Sequence, residues 1–175
     1  MIEIQQYSHA DLPAIRQTLI DTHADAYAEA MDNPFNQRFT WFVDRWGGKS
    51  DFACVIGYER GETVGFAYGA PSTPGKEVWR TMWADPPSDA DANTFFLSEL
   101  LVRPAWRKTG ASVRLHDALL TARPESLVCL TVDVSHPKVQ TMYEAWDYFK
   151  VGEDQPFADS PVYAVMVKRL SSART

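Results

Sequence analysis

A mixed α/β fold is predicted for this chain: a sheet of about seven strands flanked by about four helices, in one domain over residues 1–175. Three observations predict it. Alternating runs and helix-spaced runs succeed one another in the order β-α-α-β-β-β-α-β-α-β-β, which interleaves helices with three early strands and a late pair. The stretch LVCLTVDV (127–134) is apolar almost throughout, as a central strand covered on both faces must be. The length of 175 residues suits one domain, since domains run to roughly 100–200 residues.

Residues 1–7 alternate weakly and read as an edge strand. Ser8, with Asp11 three residues on, can cap the start of a helix. Leu12, Ile15, Leu19 and Tyr27 recur at helical spacing and predict a long amphipathic helix over 9–30. A shorter helix, rich in aromatics, is predicted over 35–46 and stopped by Gly47 and Gly48. DFACVIGY (51–58) and TVGFAYGA (63–70) read as two strands joined by the turn Glu59-Arg60-Gly61-Glu62. Segment 71–93 carries four of the eleven prolines and several acids, so it reads as a long surface loop. FFLSELLV (95–102) is a strand ending before Pro104. Residues 110–122 form a helix with Ala111, Leu115, Ala118, Leu119 and Ala122 on one stripe. After the 127–134 strand, Pro137 opens a further helix, where its missing N–H costs nothing. Val139, Met142, Tyr143 and Trp146 are expected on its inner face, and 148–152 and 162–169 are the last strands.

Composition excludes several classes. Hydrophobic residues are 45% and charged residues 23%, the balance of a globular chain rather than a disordered one. Lys plus Arg is 17 against 23 for Asp plus Glu, giving a net charge of −6. That repels a phosphate backbone, so no nucleic-acid partner is expected, and a cationic substrate fits better. No apolar run is long enough to span a membrane, and no membrane partner is expected. The start MIEIQQYSHADL lacks a basic segment leading into an apolar block, so the expected compartment is the cytoplasm. Cys54 and Cys129 lie in apolar runs and read as buried hydrophobes rather than a disulfide. His9, His23, His116 and His136 have no metal-ligand spacing, and no metal is expected.

The stretch FLSELLVRPAWRKTGASVRLHDALL (96–120) carries the most chemistry. A strand runs out at Val102 and a helix begins near Gly110. Arg107, Lys108, Thr109, Gly110, Ala111 and Ser112 occupy the join. Small residues there leave backbone N–H groups unobstructed, and a helix N-terminus adds partial positive charge. Together they suit a pyrophosphate; an ordinary solvated basic turn is the alternative. Ser112 lacks the Gly two residues later that a hydrolase nucleophile elbow needs, so it reads as a phosphate donor.

Val102-x-Pro104-x-x-Arg107-x-x-Gly110-x-Ser112 ahead of an amphipathic helix resembles motif A of the GNAT acyl-CoA N-acyltransferases. There the pattern is Arg or Gln, two residues, Gly, one residue, then Gly or Ala. A second marker of that family is a helix opening with Asn, with Leu-Tyr seven residues on and then a Gly-aromatic pair. Here it is matched by His136-Pro137-Lys138-Val139-Gln140-Thr141-Met142-Tyr143 and by Trp146-Asp147-Tyr148. The match covers about 94–152. Ser112, His136 and Asp147 depart from the family's small residue, Asn and Gly.

The resemblance implies an N-acetyltransferase that takes acetyl-CoA as co-substrate and a small-molecule or peptide amine as acceptor. It implies pantetheine pairing with the backbone of Leu100, Leu101 and Val102, phosphates at Arg107 to Ser112, and a contact from His136 to the cofactor arm. It implies Tyr143 as the acid for the departing thiolate, against a plain packing role. Glu99, on the same strand, is the candidate base, against a strand-face Glu in solvent or an ion pair; Asp133 is a second candidate. Phe39, Trp41, Trp46, Trp79 and Trp83 fall in segments that cover the acceptor side in this family. Core packing is the favoured role for Phe39 and Phe42, and a contact surface for Trp79 and Trp83. A non-catalytic acyl-CoA-binding module, a longer acyl donor such as succinyl-CoA, and a homodimer remain open alternatives.

Overall fold

The structure, a computed structural model, describes residues 1–170. Its seven strands are β1 (Glu3–Ser8), β2 (Ala53–Glu59), β3 (Glu62–Pro71), β4 (Thr94–Val102), β5 (Leu127–Asp133), β6 (Phe149–Asp154) and β7 (Tyr163–Arg169). Five α-helices accompany them among the described residues: α1 (Leu12–Ala26), α2 (Pro34–Gln37), α3 (Phe39–Gly47), α4 (Ala111–Leu120) and α5 (Pro137–Ala145). The strands form one mixed sheet in the order β1-β2-β3-β4-β5-β7-β6. By contact density the chain divides into two compact units, Met1–Ala70 with Ser98–Arg123, and Pro71–Leu97 with the chain from Pro124 on.

In the first unit, β2 and β3 make a hairpin in which Glu59 pairs with Glu62. Arg60 (φ 52°) and Gly61 (φ 80°) both take positive φ, the geometry a two-residue turn between twisted strands requires. β1 lies antiparallel on the outer side of β2, from Glu3 opposite Tyr58 to Ser8 opposite Ala53. Ile15 and Leu19 of α1 and Phe39 and Val43 of α3 bury against Cys54, Ile56, Phe66, Tyr68 and Leu101 of the strands. Ala111 of α4 packs with Ile2 and Val64, and Arg114 Nη2 donates to the Ile2 carbonyl at 2.8 Å. Gly65 of β3 is required by close approach: a Cβ there would strike the Leu101 carbonyl and the Val102 Cα.

Two predicted helices are corrected here. The helix expected over 9–30 is regular only over Leu12–Ala26, between single 3-10 turns at His9–Asp11 and Ala28–Ala30. It stops because Tyr27 leaves the helical region (φ −109°, ψ 24°) while its ring stacks on His23. The helix expected over 35–46 is two, broken at Arg38 (φ −84°, ψ 8°), with Asn33 Oδ1 accepting the Phe35 N–H at 2.9 Å to start the first. That break raises the helix count from about four to five.

In the second unit, β5 pairs antiparallel with β7, and β7 with β6. The parallel ladder of β4 with β5 runs from Thr94–Leu127 to Phe96–Cys129, and both strands continue past it. β5 is buried at five of its seven positions, Leu127 to Leu130 and Val132, as its unbroken apolar run requires. Segment 71–93 is largely exposed, as a surface loop should be, but it also reaches into the core. Trp79 is fully buried, packed with Leu127, Cys129, Val165 and Val167, and its Nε1 donates to Thr94 Oγ1 at 3.0 Å. Trp83 is half-buried and meets Trp79 edge to face, with ring centroids 5.3 Å apart. The expected contact surface at Trp79 is therefore part of the core. Among the described residues no helix is long and apolar enough to cross a membrane.

Candidate active site

The predicted site residues fall into two groups, one in each unit. In the first, β4, the turn after it and α4 are continuous in sequence, so Glu99, Leu100, Leu101 and Val102 lead directly to the 107–112 turn. Gly110 stands before α4 at φ 83°, ψ 4°, and nothing lies within 4 Å of where its Cβ would be. The space beside Gly110 is open, while Ala111 turns into the core against Ile2 and Val64. The first N–H groups of any α-helix have no intrahelical partner, and those of α4 follow directly on Gly110. Lys108 also has positive φ (61°) and is exposed. Two members are engaged elsewhere: Arg107 Nη2 donates to the Ala26 carbonyl at 2.9 Å, and Thr109 Oγ1 donates to the Trp106 carbonyl.

Glu99 lies across β4 from Tyr68 of β3. The Arg103 N–H donates to the Val64 carbonyl at 2.8 Å, and four residues further along β3 Tyr68 shares a hydrogen bond with Ser98, so the two strands run antiparallel. Burial pushes the Glu99 carboxyl up to about 7 from its ordinary 4.5. Tyr68 is 1% exposed among Phe39, Phe52 and Phe66. Its own burial raises its phenol well above 10, and the nearby Glu99 charge adds to that. Tyr68 carried no signal beyond strand alternation, which placed it on one face with Val64 and Phe66.

In the second unit, His136 precedes α5 as its N-cap residue, and Tyr143 sits one helix face inward. Tyr143 is 7% exposed, edge-to-face with Trp146 and Tyr148 at 5.3 and 5.4 Å. Val139 is not on that inner face as expected; it is 40% exposed, because α5 buries only the Tyr143 side. Asp133 is committed to the turn after β5: Oδ1 accepts the Ser135 N–H and Oγ–H at 2.8 and 2.7 Å, while Oδ2 faces His136 Nε2 at 3.7 Å. Asp147 takes φ 70°, a left-handed conformation that Gly adopts freely and Asp tolerates. The aromatic set divides. Phe39 is core, Phe42 and Trp46 are half-buried, and Trp41 is 47% exposed beneath the Arg45 guanidinium. α4 ends at Leu120, so Ala122 (φ 64°) lies beyond its buried stripe, where His116 and Leu120 stand with Ala111, Leu115 and Leu119.

No protein-family model matches the chain, and no curated protein matches it by sequence. Solved structures do. A GNAT-family acetyltransferase from Bacillus cereus matches with a TM-score of 0.63 at 16% identity, covering 98% of this chain and 99% of that one. Ard1 from Thermoplasma volcanium matches at 0.63 and 14% identity, with the same shares covered. Arabidopsis thaliana NAA60, in complex with acetyl-CoA, matches at 0.69 and 14% identity over 97% of this chain and 99% of its own. At these identities the likeness is one of architecture, and over nearly its whole length this chain has the GNAT fold.

Proposed function

We propose that this protein is an N-acetyltransferase that moves an acetyl group from acetyl-CoA to a primary amine of a small molecule or peptide, by direct attack in a ternary complex. The observation that carries the reading is Glu99: a carboxyl pushed by burial to about 7, on the strand that leads into an open, small-residue helix start. The fold, shared with acetyltransferases one of which is seen with acetyl-CoA, supports it.

The open space at Gly110 fits a phosphate, since nothing within 4 Å would contest it. Gly110, Ala111 and Ser112 would hold the anion through backbone N–H groups at the positive end of α4, with the Lys108 ammonium adding charge. The backbone of Leu100, Leu101 and Val102 would pair with the pantetheine arm. Bound there, acetyl-CoA supplies the acetyl group as a thioester. The acceptor amine arrives as an ammonium with a pKa of about 10.4 and must shed a proton before it can attack. A carboxyl at about 7 is half ionised at neutral pH, so it is both available to take that proton and able to release it afterwards. Tyr143 Oη holds a proton suited to a departing sulfur, and packing against Trp146 and Tyr148 fixes its ring.

The test is CoA release from acetyl-CoA across a panel of primary amines, for the wild type and Glu99→Gln. Turnover in the wild type should fall about 10²-fold or more in the variant at pH 7, the usual scale for a positioned base. The deficit should narrow at high pH, where free amine is abundant. Thermal stabilisation by acetyl-CoA with no release on any amine would make the protein an acyl-CoA-binding module instead.

A further inference from the structure

The resemblance to motif A puts Arg107 on the cofactor's phosphates, yet its guanidinium serves another helix. Nη2 donates to the carbonyl of Ala26, the last residue of α1, at 2.9 Å. A last-turn carbonyl has no partner within its helix, and a cation placed there meets the negative end of the helix dipole. Arg103, four residues earlier, reaches the same end. Its Nε lies 3.3 Å from Asp25 Oδ2, and its Nη1 donates to the Thr63 carbonyl of β3 at 3.3 Å. That Nε is buried and aligned with no hydrogen-bond acceptor, so the Asp25 charge is what compensates it. The Arg103 backbone is fixed as well, its N–H donating to the Val64 carbonyl at 2.8 Å. Two arginines of one turn thus converge on two consecutive residues, Asp25 and Ala26.

The helix they hold lies against the strand that carries the candidate base. Ile15 and Leu19 of α1 pack in one cluster with Leu101 of β4, two residues after Glu99. Just past Ala26, Tyr27 leaves the helical region. Tyr27 and Glu99 both lie close enough to bear on the Tyr68 phenol, so the end of α1 and the candidate base border one buried ring. Tyr68 is 1% exposed and Tyr27 37%, so of these two phenols Tyr27 is the one an entering molecule can touch. Holding a phosphate does not require Arg107. Gly110 leaves open space, the first N–H groups of α4 follow it, and Lys108 is exposed.

We propose that Arg107 is a positioning residue and not a phosphate ligand: it fastens the end of α1 to the 107–112 turn and so fixes Tyr27 on the acceptor's side of Glu99. The word acceptor rests on the N-acetyltransferase reading. Groups held in place before substrate arrives need no ordering afterwards, and small displacements away from the chemistry are costly. Loss of the tie is therefore felt by the amine and not by acetyl-CoA.

Arg107→Ala deletes the tie, and Arg107→Lys keeps a donor of similar length. In Arg107→Ala the acetyl-CoA Kd should stay within about threefold, with an unaltered salt dependence, because no phosphate contact is lost. With phenethylamine, spermidine and trialanine as the amines tried, kcat/KM for the amine should fall about tenfold, the scale of one hydrogen bond. Arg107→Lys should recover part of that loss. Independently of turnover, the amides of Tyr27 and Ala30, which donate to the His23 and Tyr27 carbonyls, should exchange with solvent about tenfold faster in Arg107→Ala. Amides of β2 should keep their rate, which separates a loosened helix end from an unfolded chain. A larger loss of acetyl-CoA affinity, with a flatter salt dependence, would overturn the proposal and return Arg107 to the phosphates. Unchanged exchange at Tyr27 and Ala30, or an amine kcat/KM that does not move, would overturn it too. No CoA release from any amine would sink the transferase reading, while exchange and affinity would still decide whether Arg107 holds α1.

Discussion

Glu99 and His23 respond to burial in opposite senses over almost the same pH range, and both are open to titration. Glu99 rises from 4.5 to about 7. Between those values the unfolded chain has released its proton and the folded chain still holds it, so this group's contribution to stability falls as pH rises. His23 drops from 6.5 to about 4. There the unfolded chain holds a proton that the folded chain lacks, so stability rises with pH through that window. Each slope reaches at most about 1.4 kcal/mol per pH unit, and from 4.5 to 6.5 they oppose each other. Glu99→Gln should therefore gain urea-melt stability relative to the wild type as pH climbs from 4.5 to 7. His23→Phe should gain relative to the wild type as pH drops from 6.5 to 4. A Glu99→Gln difference that stays level with pH would mean the carboxyl titrates as an exposed one. Of these two residues, strand position alone made Glu99 a candidate. His23 completes the stripe Leu12, Ile15, Leu19 at three- and four-residue spacing, the one signal that it faces inward, but a histidine within a helix gives no sign that Tyr27 and Phe39 stack on its ring.

Segment 71–93 shows where reading elements from sequence stops. Its prolines and acids break every period, so Trp79 had no pattern to reveal its burial. Its place is set by partners distant in sequence, Leu127, Cys129, Val165 and Val167, and by the bond to Thr94. Glu77, itself 5% exposed, braces the segment by pairing with Arg80, whose guanidinium lies 5.0 Å from the Trp79 ring. Trp79→Ala should cost about 3–5 kcal/mol by cavity formation, lowering Tm by roughly 6–20 °C for a chain of this size. A melt unchanged by that substitution would mean the segment is only loosely seated. The division at Arg38 has no sequence signal for a different reason: α2 and α3 share one helical period, and only the backbone at Arg38 departs from it.

At the scale of the whole molecule the strand and helix order was legible, because each strand reports its own cover. β5 is apolar along both faces and lies inside the sheet; β1, with Glu3, Gln5 and Gln6 turned out, lies at its margin. The order in which strands lie side by side was not legible, since β5 finds β7 before β6 through pairings no local pattern encodes. The position of β1 has a further effect on how the chain behaves among its own copies. β2, from Ala53 to Glu59, is largely buried and apolar, and one side of its backbone is satisfied only by β1. An exposed apolar strand of that length is a template for pairing with another chain, whereas a short polar strand at the rim is a poor one. Removing Met1 to Ser8 would also release Arg114 from the Ile2 carbonyl and loosen α4. The truncated chain should form larger species by light scattering than the full chain at equal concentration, and an unchanged size would show that β2 protects itself. Six largely polar residues thus act as a guard against self-association for a strand whose Cys54 and Ile56 pack against α1 and α3.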